Sequence, residues 1–486
     1  MDMPSLGSAS LVRQLGRWRG EDSSEAAYRQ LARALRLLIL DGRIGIGVRL
    51  PGERELAQAL GLSRTTLAGA YNQLRDDGYL VSRQGSGSVT RIPGSRMAPA
   101  EPEEGGESNN ILDWTSAALP APESLWHAYE DALHQLPAWL GGMGYEALGI
   151  PRLRQAIADD YARRGCPTRP EQIMVTSGAQ HGFALIQRLL AGPGDRVVVD
   201  HPTYHNALTA IRRSNCVPVP VGLPGTGWDI DAFSAAFRQT GPRFAYVIAD
   251  FHNPTGRCMD VAARQALVDI AERTRTPLVV DETMADISLD QDAPPPVAVH
   301  DRAGTNVISL GSASKRFWGG LRIGWIRADE QMIASLGRIR VTLDLATPVM
   351  EQLATAALLQ SDAGAQERRA MLIARRDRLV ALLGAHLPHW HVPVPPGGMS
   401  LWVEMPRPEA SALAAMAQGE GVRIAPGPRF GLDGAFERFV RLPFTLPEDR
   451  LEAAVERLAA VDARLHRRMP RAADEAVWAL EADRVI

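Results

Sequence analysis

Of the 53 basic residues in this chain, one, Lys315, is a lysine and the other 52 are arginines. Arginine supplies surface charge equally well, but its guanidinium stays protonated and cannot act as a nucleophilic primary amine. Lys315 is therefore the first place to look for covalent chemistry. It is preceded by Ser312-Ala313-Ser314 and followed by Gly320-Leu321-Arg322-Ile323-Gly324. Ser312 and Arg322 are hydroxyl and guanidinium donors suited to an anion. Thr176-Ser177-Gly178-Ala179-Gln180 follows an expected strand and opens an expected helix, so backbone N–H groups around Gly178 and Ala179 form a second anion seat. Asp281 ends the apolar run Leu278-Val279-Val280, Asn253 sits in Phe251-His252-Asn253-Pro254-Thr255-Gly256, and Tyr204 closes His201-Pro202-Thr203-Tyr204. An amine, two sets of donors that can share one phosphate, a carboxylate, an amide and an aromatic ring match one aldehyde cofactor, pyridoxal 5'-phosphate (PLP). In that reading Lys315 bonds the aldehyde, Asp281 pairs with the pyridinium, Asn253 reaches the ring oxygen and Tyr204 stacks on the ring.

A second constellation lies near the N-terminus. Ser63-Arg64-Thr65-Thr66 opens a helix, placing small hydroxyls and an arginine beside outward-facing N–H groups. Such an end seats against phosphates while Arg64 reaches a guanine edge, and Ser63 also suits an N-cap. Arg54 opens the preceding helix and is placed for a phosphate or base contact. Arg83-Gln84-Gly85-Ser86-Gly87 reads as a hairpin tip whose glycines permit close backbone approach, with Gln84 and Gly85 as DNA contacts.

The elements that must position these groups follow from the apolar pattern. Leu31, Leu35, Leu38 and Ile39 recur at helical spacing behind the candidate caps Ser23 and Ser24. Helices over Glu53 to Leu60 and Arg64 to Asp77 follow, then short strands at Tyr79-Leu80-Val81 and Ser88-Val89-Thr90: a helix-turn-helix with a wing. This gives an N-terminal extension (1–24), a winged helix (25–91), a flexible Pro/Gly/Glu-rich linker (92–110) and a large domain (111–465). In the large domain, helices alternate with strands such as Ile173-Met174-Val175, Val197-Val198-Val199, Tyr246-Val247-Ile248 and Leu278-Val279-Val280. Alternation of that kind predicts a doubly wound α/β fold with a mainly parallel sheet. From about residue 370 a smaller α+β unit follows, with strands at Leu401-Trp402-Val403 and Phe439-Val440-Arg441. The tail (466–486) reads as helical.

Charge divides along the same line. Residues 1–100 hold 14 Arg against 9 acids (+5), and the remainder 39 basic residues against 47 acids (−8), which together give the net −3. A basic head on an acidic body fits a nucleic-acid module attached to something else. No apolar run approaches membrane-span length, and no secretory signal is evident. Cys166, Cys216 and Cys258 are too scattered for a disulfide framework or a zinc site, so the expectation is a cytoplasmic protein without a metal.

The stretch LPGERELAQALGLSRTTLAGAYNQLRDDGYLVSRQGSGS resembles the winged helix-turn-helix of the GntR family, with Ala68 where relatives often carry a basic residue. Residues 111–465 resemble the fold-type-I aminotransferases, through Ser312-x-Ser314-Lys315 with Arg322 and Gly324, Asn253-Pro254-Thr255-Gly256 and Asp281. The fusion is the arrangement of the MocR subfamily. The resemblance implies a PLP-dependent regulator that binds double-stranded operator DNA as a homodimer. It also implies an effector that is amino-acid-like or related to vitamin B6, sensed through an aldimine. It carries over Ser314 as a cofactor contact, Tyr145 as the tyrosine that reaches the neighbouring subunit's phosphate, and Arg441 as the grip on an effector carboxylate. Relatives place a tyrosine two or three residues beyond the strand-end aspartate; Thr283 and Met284 stand there, which puts turnover in doubt. The alternative is an active aminotransferase with an accessory DNA-binding head.

Overall fold

The fold was obtained as a computed structural model that describes residues 5–16, 18–19, 26–40, 44, 48–83, 87–91, 111–225, 227–361 and 364–467. Ser23, Ser24, Gln84, Gly85, the 92–110 linker and the tail beyond 467 lie outside the described residues.

The head contains helices Ala27–Leu40, Glu53–Leu60 and Arg64–Asp76, followed by an antiparallel hairpin of Leu80–Arg83 and Gly87–Thr90. Leu31, Leu35, Leu38 and Ile39 are all buried, as their spacing requires. The turn works because Gly61 adopts the left-handed conformation (φ 64°) and ends one helix, while the Ser63 hydroxyl accepts the Thr66 N–H at 3.1 Å and starts the next. Tyr71 ties helix Arg64–Asp76 back by donating to the Pro51 carbonyl at 3.0 Å. One element was not anticipated: Ser8–Leu15 is a helix whose Leu11 and Leu15 join the head's core, and its Ser8 hydroxyl donates to Glu55.

The body centres on a seven-stranded sheet in the order Ile173–Thr176, Gly324–Arg327, Val307–Ser312, Leu278–Asp281, Phe244–Val247, Arg196–His201, Val217–Gly222. Only Gly324–Arg327 runs antiparallel to its neighbours. Both faces are covered by helices, so the strands alternate between two cores rather than between core and water. Val198, Ala245 and Val280 point into one cluster, and Val197, Val199, Tyr246 and Val279 into the other. Function collects at the carboxyl ends of the strands, where Asp281, Ser312 and the Thr176–Ala179 turn emerge.

The smaller unit has an antiparallel sheet of Ser400–Glu404, Phe439–Pro443 and Ala425–Pro426 with helices Ala365–His386, Ala410–Gly419 and Glu448–Arg467. It also recruits the start of the body: Leu112–Asp113 pairs in parallel with Val422–Arg423, and buried Trp114 donates its indole N–H to the Pro443 carbonyl. That anchor lays residues 115–118 along the opening between the two units.

Candidate cofactor cavity and DNA-contacting face

A cavity of about 580 Å³ lies between sheet and smaller unit and is lined by Ala179, Tyr204, Asn253, Asp281, Ser312, Ser314, Lys315, Arg322 and Arg441, among others. Lys315 sits on the one-turn helix Ala313–Arg316, and its Nζ donates to the Ala117 carbonyl at 2.6 Å. Burial, and next the positive charge of Arg441, push this amine down to about 8. A lysine so placed is far more readily deprotonated than a surface one.

Asp281 is held from two sides. The buried Tyr246 hydroxyl donates to its Oδ2 at 2.6 Å, and the Thr283 N–H donates to Oδ1 at 2.9 Å. Burial raises this carboxyl, while those two donors and the Lys315 charge pull the other way. Arg441 donates through Nη1 to Asn253 Oδ1 at 3.1 Å and through Nη2 to the Thr115 carbonyl, with its guanidinium 4.9 Å above the Phe430 ring. The bond to Oδ1 leaves the Asn253 amide N–H groups as the end that can face a ligand. Arg441 Nε is buried with no hydrogen-bond partner.

The anion seat is built by steric necessity. Gly178 has φ 92°, and a Cβ there would lie 2.5 Å from Arg322 Nη2. Arg322, itself left-handed at φ 50°, donates Nη2 to the Ser177 carbonyl at 3.1 Å, so the guanidinium lies against the turn that opens helix Ala179–Leu190. The first N–H groups of that helix have no preceding turn to bond. The Ser312 hydroxyl accepts the Ser314 N–H at 3.2 Å and so caps the lysine helix as well as lining the cavity.

Tyr145 does not join the cavity of its own chain and is 65% exposed. Thr283 and Met284, at the positions noted for the missing tyrosine, do line it. The lining residues not singled out from sequence include Tyr246, His205, Arg429 and Phe430. Tyr246 meets Asp281 only because their strands are neighbours, which no local signal encodes. Arg429 carried a readable signal, a lone charge in Gly427-Pro428-Arg429-Phe430. The three cysteines are free. Among the described residues one possible metal-ligand group occurs, His389, Asp462 and His466, hydrogen-bonded together away from the cavity.

On the head, Arg54, Ser63, Arg64 and Thr65 are exposed and Thr66 is half-buried. Arg54 and Arg64 line one concavity with Arg49 and Gly87, and neither makes an ion pair among the described residues. Ser63 is engaged locally, its Oγ lying 2.8 Å from Thr65 Oγ1 and 2.7 Å from Thr66 Oγ1.

Fold and cavity together define a winged-helix head joined to a fold-type-I, aminotransferase-like body. The model for aminotransferase class I and II matches residues 143–458, and that for bacterial regulatory proteins of the gntR family matches 27–89. The chain belongs to the class I and II aminotransferase family and, with its gntR head, is a MocR-type transcriptional regulator. It is 28% identical over 441 residues to the uncharacterized HTH-type transcriptional regulator YdcR of Escherichia coli, covering 85% of this chain and 94% of YdcR. To the probable rhizopine catabolism regulatory protein MocR of Rhizobium meliloti it is 28% identical over 434 residues, covering 83% and 87%. Among solved structures it resembles LysN, the alpha-aminoadipate aminotransferase of Thermus thermophilus, solved with N-(5'-phosphopyridoxyl)-L-leucine. The TM-score is 0.67 at 26% identity, covering 74% of this chain and 94% of LysN. No helix among the described residues is long and apolar enough to cross a membrane.

Proposed function

We propose that this regulator holds PLP on Lys315, reads an amino-acid-like or vitamin B6-related effector in the same cavity, and reports it through operator binding by a homodimer. The observation that carries the reading is that the chain's one lysine projects its amine into a cavity shared with Asp281, Asn253, Tyr204 and Arg441. The donor set fits the cofactor, and the cradle at Gly178, which a Cβ would fill, fits its phosphate. PLP supplies there an aldehyde that takes up primary amines and a ring that withdraws electrons from them.

The chain's own groups then have separate tasks. Arg322, Ser312 and the N–H groups of Ala179 and Gln180 would hold the phosphate. Asp281, kept in place by Tyr246 and Thr283, would pair with the ring nitrogen. Lys315 is within reach of neutrality near pH 8, so its amine would be able to bond the aldehyde and to leave it when an incoming amine takes its place. Arg441 offers a carboxylate-bearing amine a charged partner. With Thr283 and Met284 in place of the ring-oxygen tyrosine, exchange is supported better than repeated turnover.

A homodimer is supported by a run of exposed large apolar side chains, Trp126, Leu133, Leu140, Met143 and Tyr145. Five exposed large apolar side chains within twenty residues supply the material of an interaction surface. An effector that favours one arrangement of the two heads changes which operator spacing they span, by as much as its affinities for the two arrangements differ.

The test titrates the purified PLP-loaded chain with amino acids, amines and B6 vitamers. Visible absorption, keto-acid formation and operator affinity are followed together. A spectral change with altered operator affinity and negligible keto acid is the expected result. Several turnovers per second with no effect on DNA would overturn it in favour of a working aminotransferase.

A further inference from the structure

Resting on the sensing reading above, the charge balance of the cavity points to the chemical class of the effector. Four cationic side chains line it, Lys315, Arg322, Arg429 and Arg441, against one carboxylate, Asp281. His205 also lines it, but burial and the two neighbouring arginines push it down to about 3, so it stays neutral. PLP would account for part of the excess: its phosphate would answer Arg322, its pyridinium would answer Asp281, and the Lys315 amine would be taken up in bonding the aldehyde. Arg429 and Arg441 remain.

These two belong to one end of the cavity. Arg429 lies in the turn Gly427–Phe430, and Arg441 on strand Phe439–Pro443 has its guanidinium over the ring of the intervening Phe430. Arg429 is also the charge that Arg441 feels most. Neither contacts an acid. Arg441 is bonded to an amide and a carbonyl, and its Nε is orphaned. Arg429 makes no hydrogen bond or ion pair among the described residues. The acid nearest in influence, Asp113, already accepts from Thr115 N at 2.9 Å and faces Arg423 at 3.7 Å. Arg429 is exposed and water screens it, whereas Arg441 is buried. A ligand filling the cavity beside Arg441 displaces that water and sets the two like charges against each other unless it brings negative groups of its own. One α-carboxylate brings a single negative charge against their two positive ones.

We propose that the effector is an amino acid with a second acidic group, its α-carboxylate held by Arg441 and its side-chain carboxylate by Arg429. A neutral side chain would instead leave Arg429 to water alone.

The experiment uses the full PLP-loaded chain and two isosteric pairs, L-glutamate with L-glutamine and L-aspartate with L-asparagine. Apparent affinity is read from the visible spectrum, and each variant's starting spectrum serves as the measure of an intact cavity. At least one acid is expected to bind about 10-fold to 100-fold more tightly than its amide, the range for a charge-assisted contact. Arg429→Gln is expected to bring that ratio close to one, and Arg429→Lys to restore most of it. Equal binding of acid and amide in the unaltered chain, or a ratio that survives Arg429→Gln, overturns this proposal alone. No response to any of the four amino acids overturns this proposal, while the sensing reading falls only if the wider titration with amines and B6 vitamers is also silent.

Discussion

The candidate DNA contacts Arg54 and Ser63 to Thr66 come from one stretch of the head, and all but the half-buried Thr66 stand in solvent. The cavity is assembled from the whole body: Lys315 meets Ala117 across 198 residues of sequence, and Arg441 meets Thr115 across 326. The two regions therefore respond differently to damage. Truncating an exposed arginine removes one contact and leaves its neighbours as they were. Truncating a buried member of the cavity leaves partners such as Asn253 Oδ1 unpaired, and such losses do not add. Exposed groups of the first kind can vary one at a time, while a cavity of the second kind must change as a set.

The most complete expected effect falls on the cavity. Lys315→Ala and Lys315→Arg should both abolish the visible band of lysine-bound PLP, and the arginine variant shows that charge alone does not restore it. Because no other lysine exists in the chain, a band surviving in either variant would end the assignment. The comparison sharpens with pH. Only the unprotonated amine attacks an aldehyde, and the Lys315 amine is pushed down to about 8 by burial and Arg441. Covalent PLP uptake by the cofactor-free chain should thus quicken as pH rises towards 8 and level off above it. Arg441→Gln removes a positive charge, makes protonation easier and should move that midpoint upward. A midpoint that stays put would show that Arg441 does not act on the amine.

How much of each region was legible in sequence follows from how local its signals are. The head's turn is encoded by Gly61, Leu62 and Ser63 in succession, and Lys315 announces itself by its flanks and its uniqueness. The Tyr246–Asp281 bond was not legible, since it needs the neighbouring strand. Nor was the crossing of Leu112–Asp113 to the smaller unit, which takes its partner from Val422–Arg423. Strand Val217–Gly222 was hidden by Pro218 and Pro220, which break ladder bonding in mid-sheet; it survives because it lies at the sheet edge. Helix Ser8–Leu15 is short, and its two core residues, Leu11 and Leu15, make too brief a pattern to call for a helix.

That helix gives the largest effect expected in the head. Leu11 is fully buried, so Leu11→Ala should cost about 2–5 kcal/mol. Hydrogen exchange should quicken across the described head residues 27–40 and 48–83 while the PLP band is unaffected. Unchanged protection there would mean that the helix decorates the head without supporting it.

Arg64→Ala tests the exposed side of the comparison with a smaller cost. If Arg64 reads a guanine, specific operator affinity drops by about 1–3 kcal/mol with the PLP spectrum intact. If it meets only phosphate, affinity falls evenly across sequences and the salt dependence becomes shallower. Operator affinity equal to that of the unaltered chain contradicts both.

The smallest effect separates two roles of one hydroxyl. Ser63 Oγ accepts the Thr66 N–H at 3.1 Å, and Thr65 and Thr66 hydroxyls lie within hydrogen-bond reach of it. It is thus a helix cap, and Ser63→Ala should cost about 1 kcal/mol of head stability. Capping and phosphate contact make opposite demands on a carboxylate. Aspartate caps as well as serine, so Ser63→Asp should keep the head near its original stability. If the helix end also seats against the DNA backbone, the added negative charge repels it, and Ser63→Asp should lose more operator affinity than Ser63→Ala, most clearly at low salt. The variant with the better-preserved head would then be the poorer DNA binder. The reverse order, or operator affinity in Ser63→Asp matching the unaltered chain, would show that this helix end caps itself and faces no phosphate.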